Sequence, residues 1–330
     1  MARKPWKAGA IAGLVLLAVA CGDDGATSPS ASGRDAASTT AGAPITDPDT
    51  DATSASSTSP DGSGTTEPGA DVPARIVSLS PTHTETLFAI GAGPQVIAVD
   101  EQSNHPPEAA EVRTELSGFT PNVEAIAAYE PDLVVLSGDP TTASQLEELG
   151  ITAWDGPSAQ TFEDAFAQWE QLGAITGHVA EAAELVADAQ RRLDELVASL
   201  PEPETPLTLY HELTPDGYSA TSSTFIGRIY AMFGLENIAD AAADDTLYPQ
   251  LNAETIIEAD PDLIFLADAK CCGENLETVA ARDGWADITA VANGHVFAMD
   301  DDLASRWSPR FVEYAAQVRD AVEQVLVAAG

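Results

Sequence analysis

NVEAIAAYEPDLVVL at residues 122–136 and NAETIIEADPDLIFL at residues 252–266 are one fifteen-residue phrase written twice, 130 positions apart. Asn, Glu, Ile, Pro, Asp, Leu and Leu coincide, seven positions of the fifteen. Each copy opens on an Asn suited to cap a helix. A Glu follows in the first turn, where the positive end of the helix dipole favours an acid. Each copy then breaks at Pro-Asp and runs into an apolar strand. A phrase recurring at this distance predicts two similar halves.

Outward from these copies, short β-branched runs alternate with helical stretches. Strands are expected at Arg75–Ser80, Val96–Asp100, Leu133–Ser137, Leu207–Tyr210, Leu263–Ala267 and His295–Met299. Helices are expected at Thr84–Ile90, Asn122–Glu130, Ala143–Leu149 and Phe162–Ile175. Such alternation implies parallel sheets with helices on both faces. From His178 to Leu200 the chain lacks Gly and Pro, and Ala182, Leu185, Val186, Ala189, Leu193, Leu196 and Val197 recur at helical spacing. A helix of about 23 residues spans roughly 35 Å, too long for a routine crossover. The expected architecture is therefore α/β: two lobes, each a mostly parallel sheet flanked by helices, joined by one long helix. The lobes fall at 74–177 and 202–330, and the connector at 178–201.

The first residues set the compartment. Arg3, Lys4 and Lys7 precede an apolar run, Ala8 to Ala20, that is too short to span a bilayer comfortably. Basic, apolar and small residues in this order make residues 1–20 an export signal. Leu17-Ala18-Val19-Ala20-Cys21 resembles a bacterial lipobox, which implies lipidation at Cys21; ordinary cleavage with a free thiol is the alternative. Residues 21–73, rich in Gly, Ser, Thr, Pro, Ala and Asp and free of aromatics, read as a flexible, lipid-anchored linker. The expected location is the outer face of the cytoplasmic membrane, or the periplasm. A formal charge of −39 argues against nucleic acid and anionic lipid headgroups as partners.

Three stretches carry a family resemblance: RIVSLSPTHTETLFAIGAGPQVIAVD (75–100), SGFTPNVEAIAAYEPDLVVLSGD (117–139) and LNAETIIEADPDLIFLAD (251–268). Together with ASRWSPRFVEYAAQV (304–318), they resemble the periplasmic binding proteins for ferric siderophores, haem and cobalamin. The resemblance covers residues 74–330. It implies a ligand held between two lobes with little hinge motion, and delivery to an ABC permease and its ATPase. It also implies that Glu124 and Glu254, one per lobe, meet arginines of the permease. Helix capping is the structural alternative for both.

Ligands of parallel sheets sit beyond the carboxyl ends of the strands. Those ends offer His83, Gln102, Phe119 and Asp139 in the first lobe, with Ser80, Thr82, Asn104 and His105 nearby. The second lobe offers His211, Tyr218, Cys271, Cys272, Asp302, Arg306 and Trp307, with Glu212 beside them. His83 is expected to be exposed at the start of a helix capped by Thr82 or Thr84. His211 and Glu212 are adjacent on a strand and point to opposite faces. Five scattered histidines form no metal cluster, and neither a metal nor a cofactor is expected.

By resemblance, Asp302 and Arg306 match ligand-contacting positions of cobalamin-binding members. Gln102 and Ser137 stand where those members carry aromatic residues, which removes apolar contact from a corrin. Arg306 is expected as the cleft's cation, with a surface ion pair to Asp302 as the alternative. For Cys271-Cys272, a vicinal disulfide, two thiols for a soft ligand and simple packing all stay open. An enzyme on this scaffold is disfavoured: the sequence has no Gly-rich phosphate loop, no nucleophile elbow and no acid pair at catalytic spacing from a histidine. A ligand-sensing surface protein without a transporter would use the same cleft.

Overall fold

The computed structural model describes residues 72–201, 203, 205–243 and 246–329. The signal segment, Cys21 and most of the linker lie outside the described residues.

The first lobe runs β1 (Ile76–Ser78), α1 (Pro81–Ala89), β2 (Val96–Val99), α2 (Pro107–Glu111), α3 (Val123–Ala127), β3 (Leu133–Leu136), α4 (Pro140–Glu148) and β4 (Thr152–Asp155). Two long helices follow, α5 (Phe162–Thr176) and α6 (Val179–Ala198). The second lobe begins with β5 (Thr208–Glu212), α7 (Phe225–Ala231), β6 (Glu236–Asn237), α8 (Ala253–Ala259), β7 (Leu263–Leu266) and α9 (Ala269–Cys272). It ends with α10 (Leu276–Ala280), α11 (Thr289–Ala292), β8 (Val296–Ala298), α12 (Asp301–Ala304) and α13 (Phe311–Ala329).

Each lobe has one four-stranded parallel sheet, ordered β2-β1-β3-β4 and β6-β5-β7-β8. The two orders are the same order. The repeated phrase is the α3–β3 unit of one lobe and the α8–β7 unit of the other, and its repeated residues have visible jobs. Asn122 and Asn252 cap their helices by accepting the N–H groups of Ala125 and Thr255. Asp132 accepts the N–H groups of Ala74 and Arg75, while Asp262 accepts the N–H of Thr208. The Pro-Asp turn thus ties the start of each central strand to its neighbour. Glu130 and Asp260, the residues before each proline, both adopt left-handed φ values, 49° and 46°.

The central strands are buried on both faces. Leu133 and Val135 face one apolar cluster and Val134 and Leu136 the other; Leu263 and Phe265 oppose Ile264 and Leu266 in the same way. The expected strands are all present: five are trimmed by one to three residues, while β5 starts one residue later than expected and runs two further, to Glu212. Two edge strands, β4 and β6, went unexpected: TAWD is half-exposed and the other is a pair of residues.

The connecting helix is α6, some three residues shorter than expected, because Ser199 caps it before the prolines. Its first turns pack Ala182 and Leu185 on the first lobe, while Val186, Ala189 and Leu193 join the large cluster of the second. The preceding helix does likewise: Phe162, Phe166 and Trp169 of α5 meet Phe225 and Phe311, with Phe162 stacked on Phe311 at 5.3 Å. This shared aromatic core resists relative movement of the lobes, since close-packed interiors repack only at a cost.

Candidate functional site

The seam between the lobes is built from α1 and the Arg306–Ser308 segment. Residues Thr82 to Leu87 of α1 are all buried, although most are polar. Buried polar groups need partners, and most of these find them. Thr84 donates to Ser78 and accepts from Ser103.

Glu85, 3 % exposed, accepts from Arg306 at 2.7 Å and from the Ser308 hydroxyl at 2.5 Å. Gln168 of α5 donates to the Pro157 carbonyl, so its Oε1 is the acceptor for both Trp307 Nε1 and His83 Nε2, each at 2.9 Å. His83 therefore carries its proton on Nε2.

This corrects the expectation of an exposed His83. Ser80 caps α1 instead, accepting the His83 N–H, and the His83 ring lies buried against Trp154 and Trp307. Burial pushes its pKa down to about 4, so it is a neutral hydrogen-bonding group.

Arg306 is likewise more than a cleft cation or a surface partner of Asp302. Its guanidinium donates to Glu85, Asn104 and the Gln102 carbonyl of the first lobe, and to Asp302 at 2.7 Å. It clasps the lobes together. Burial opposes the charge of Asp302, but hydrogen bonds from Lys270 and Asn104 and the field of Arg306 outweigh it and hold the carboxyl below its usual range.

In front of this clasp lies a cavity of about 420 Å³, open between the lobes. Gln102, Phe119, Asp302, Arg306 and Trp307 line it, as do Ser80 and Ser137. Phe119 is 84 % exposed and projects into solvent at the mouth. The preceding Gly118 makes this possible: a Cβ there would lie 2.3 Å from the Leu79 carbonyl oxygen, so only glycine lets the loop press against the end of β1. Asp100 also lines the cavity, with Oδ2 buried and unpartnered. The sequence reading missed it, although its position just beyond the carboxyl end of β2 is a signal that could have found it. A larger cavity, about 680 Å³, lies on the far side of Glu85 between Phe88, Pro106 and Pro309. The cleft, not this groove, sits where loops leave the carboxyl ends of the strands.

Other candidates are placed elsewhere. Asp139 caps α4; hydrogen bonds from the Thr142 hydroxyl and N–H hold its carboxyl below the usual range. His211 is fully buried, hydrogen-bonded to Tyr230, which in turn meets Tyr314. Burial lowers its pKa to about 4.

Glu212 is also buried, in a two-pronged pair with Arg282 at 2.6 Å, and Arg282 reaches Glu274 and covers Trp285. Tyr218 is exposed on a loop bridged to Gln250. Cys271 and Cys272 are joined by a disulfide on the exposed α9 turn, beside α12 and outside the cavity lining. Among the described residues, no group of three His, Cys, Asp or Glu side chains is disposed to hold a metal ion.

Glu124 and Glu254 occupy the same place in their lobes, the first turn of the helix entering the third strand of the sheet. Both are exposed, and among the described residues neither carboxylate has an ion-pair partner.

Comparison with known proteins returns periplasmic binding proteins. The periplasmic binding protein family matches residues 76–303. The chain belongs to that family. The ABC transporter substrate-binding lipoprotein YvrC of Bacillus subtilis is 30 % identical over 259 residues, 76 % of this chain and 80 % of its own length. A cobalamin-binding protein of Halobacterium salinarum is 30 % identical over 279 residues, 82 % of this chain and 75 % of that one. Among solved structures, the periplasmic vitamin B12 binding protein BtuF of Vibrio cholerae superposes with a TM-score of 0.64 at 25 % identity. It covers 77 % of this chain and 98 % of that one.

Proposed function

We propose that this chain is the extracytoplasmic solute-binding component of an ABC importer, anchored through Cys21, and that its cleft holds a corrinoid in preference to an anionic iron chelate. The carrying observation is the cleft lining. Phe119 and Trp307 supply aromatic surface, whereas Arg306, the lining's one cation among the described residues, is already engaged by Glu85, Asn104 and Asp302. An anionic ferric siderophore or haem propionates would have to break that clasp, leaving Glu85 buried without its partner. A broad ligand with apolar faces has no such requirement, and its polar edge finds Gln102, Ser80, Ser137 and Asp100. The cobalamin-binding relative supports the same choice.

Delivery would use Glu124 and Glu254. Paired charges on the two lobes fix the register of docking as well as its strength, and among the described residues neither glutamate has an ion-pair partner. The test of cargo is thermal denaturation with cyanocobalamin, haem and a ferric catecholate siderophore, since a ligand of the native state raises the melting temperature. Cyanocobalamin should raise it, and Phe119→Ala should weaken the shift. A shift with the ferric siderophore alone would overturn the corrinoid assignment.

A further inference from the structure

Cys271 and Cys272 are neighbours in sequence, so their disulfide closes no loop of chain. In the chain-entropy account, a disulfide stabilises more as the loop it closes lengthens. This one therefore does not staple the fold, and its effect has to be local.

The local surroundings are specific. The N–H groups of Lys270 and Cys271 donate to the two carboxylate oxygens of Asp301, at 3.1 and 2.8 Å. The Lys270 ammonium pairs with Asp302. Asp302 accepts from Arg306 at 2.7 Å and from Asn104 of the first lobe at 3.0 Å, and Arg306 reaches Glu85 at 2.7 Å. A continuous polar chain thus runs from the disulfide turn, through α12, to the clasp between the lobes. Both cysteines are exposed to solvent, and exposed disulfides are the ones that exchange with thiols most readily.

We propose that Cys271–Cys272 is a thiol–disulfide exchange site, and that its oxidation state sets the hold of the α9 turn on α12 and hence the firmness of the Arg306 clasp. The reactant class is a low-molecular-weight thiol. Its thiolate attacks one sulfur, the Cys271–Cys272 bond breaks, and the second sulfur leaves as a thiolate that takes a proton. A second thiol then attacks the mixed disulfide, so two small thiols become one small disulfide and both cysteines become thiols. With the ring open, the turn is no longer constrained to aim two N–H groups at Asp301.

The experiment compares the full chain isolated under air with the same chain reduced by dithiothreitol, read by peptide-mapped alkylation and amide hydrogen exchange. Alkylation at 271 and 272 should appear only after reduction. Exchange across 269–273 and 301–306 should then quicken by about tenfold, the size expected for losing hydrogen bonds to a carboxylate. Cys271→Ser/Cys272→Ser should exchange at the fast rate in both buffers. Free thiols at Cys271 and Cys272 in the air-isolated chain, or exchange at 301–306 that is the same in both redox states, would overturn the proposal. If the double variant does not fold, the comparison of oxidised and reduced wild-type chain decides alone.

Discussion

In the first lobe Asp132 holds the N–H groups of Ala74 and Arg75, and in the second Asp262 holds the N–H and hydroxyl of Thr208. These matching clamps, and the matching left-handed residues just ahead of them, sit at the amino ends of β3 and β7. At the carboxyl ends the lobes part company. The first lobe carries a hydroxyl chain, Ser78, Thr84 and Ser103, and a neutral His83–Gln168 pair, beside the buried Glu85 and Asp100. The second carries a charged network, Glu212 with Arg282 and Glu274, and beside it Asp268, whose carboxyl burial and the nearby Glu212 push up to about 7. What repeats is the support each central strand needs; what differs is the chemistry beyond the strands' carboxyl ends.

The largest effect should come from Arg306, the cation that pairs with acids of both lobes. Arg306→Ala leaves Glu85 buried without its main partner and should cost about 3–5 kcal/mol in urea unfolding. Adding Glu85→Gln should restore much of it; a double variant as unstable as the single would mean the clasp is only packing.

Acid should act on both lobes at once. The unfolded chain takes up a proton on His83 and on His211 near pH 6.5, which the folded chain accepts only near pH 4. Acidification through that window therefore favours unfolding, by up to about 1.4 kcal/mol per pH unit for each histidine. Asp268 works the other way below about pH 7. Histidine titration by NMR that placed either ring near pH 6.5 would remove that lobe from the account.

A smaller effect measures how alike the clamps are. Asp262→Ala should cost about 1–2 kcal/mol and Asp132→Ala less, since the second clamp is half-buried and the first exposed. Equal losses would mean that burial does not tune the clamp.

Much of the fold was legible because it rests on local chemistry. Asn122, Pro131 and Asp132, with their partners 130 residues on, each act within their own turn or on an adjacent strand. The seam was not legible, because its partners are far apart in sequence: Glu85 and Arg306 are separated by 221 residues and His83 and Gln168 by 85. The sequence PTHTETLFA reads as an exposed helix start by polarity, yet that polarity is what a buried seam with distant donors requires. Phe119, Asp302 and Trp307, expected in the loops beyond the strands' carboxyl ends, line the cavity. His211 also ends a strand, but it faces Tyr230 in the core.

The most direct test of the account is uptake of labelled cyanocobalamin by cells carrying the importer and a Glu124→Lys/Glu254→Lys variant, with binding measured on the purified variant. Uptake should be lost while cyanocobalamin affinity and melting temperature stay at wild-type values. Uptake that persists with both charges reversed would contradict docking through this pair of sites.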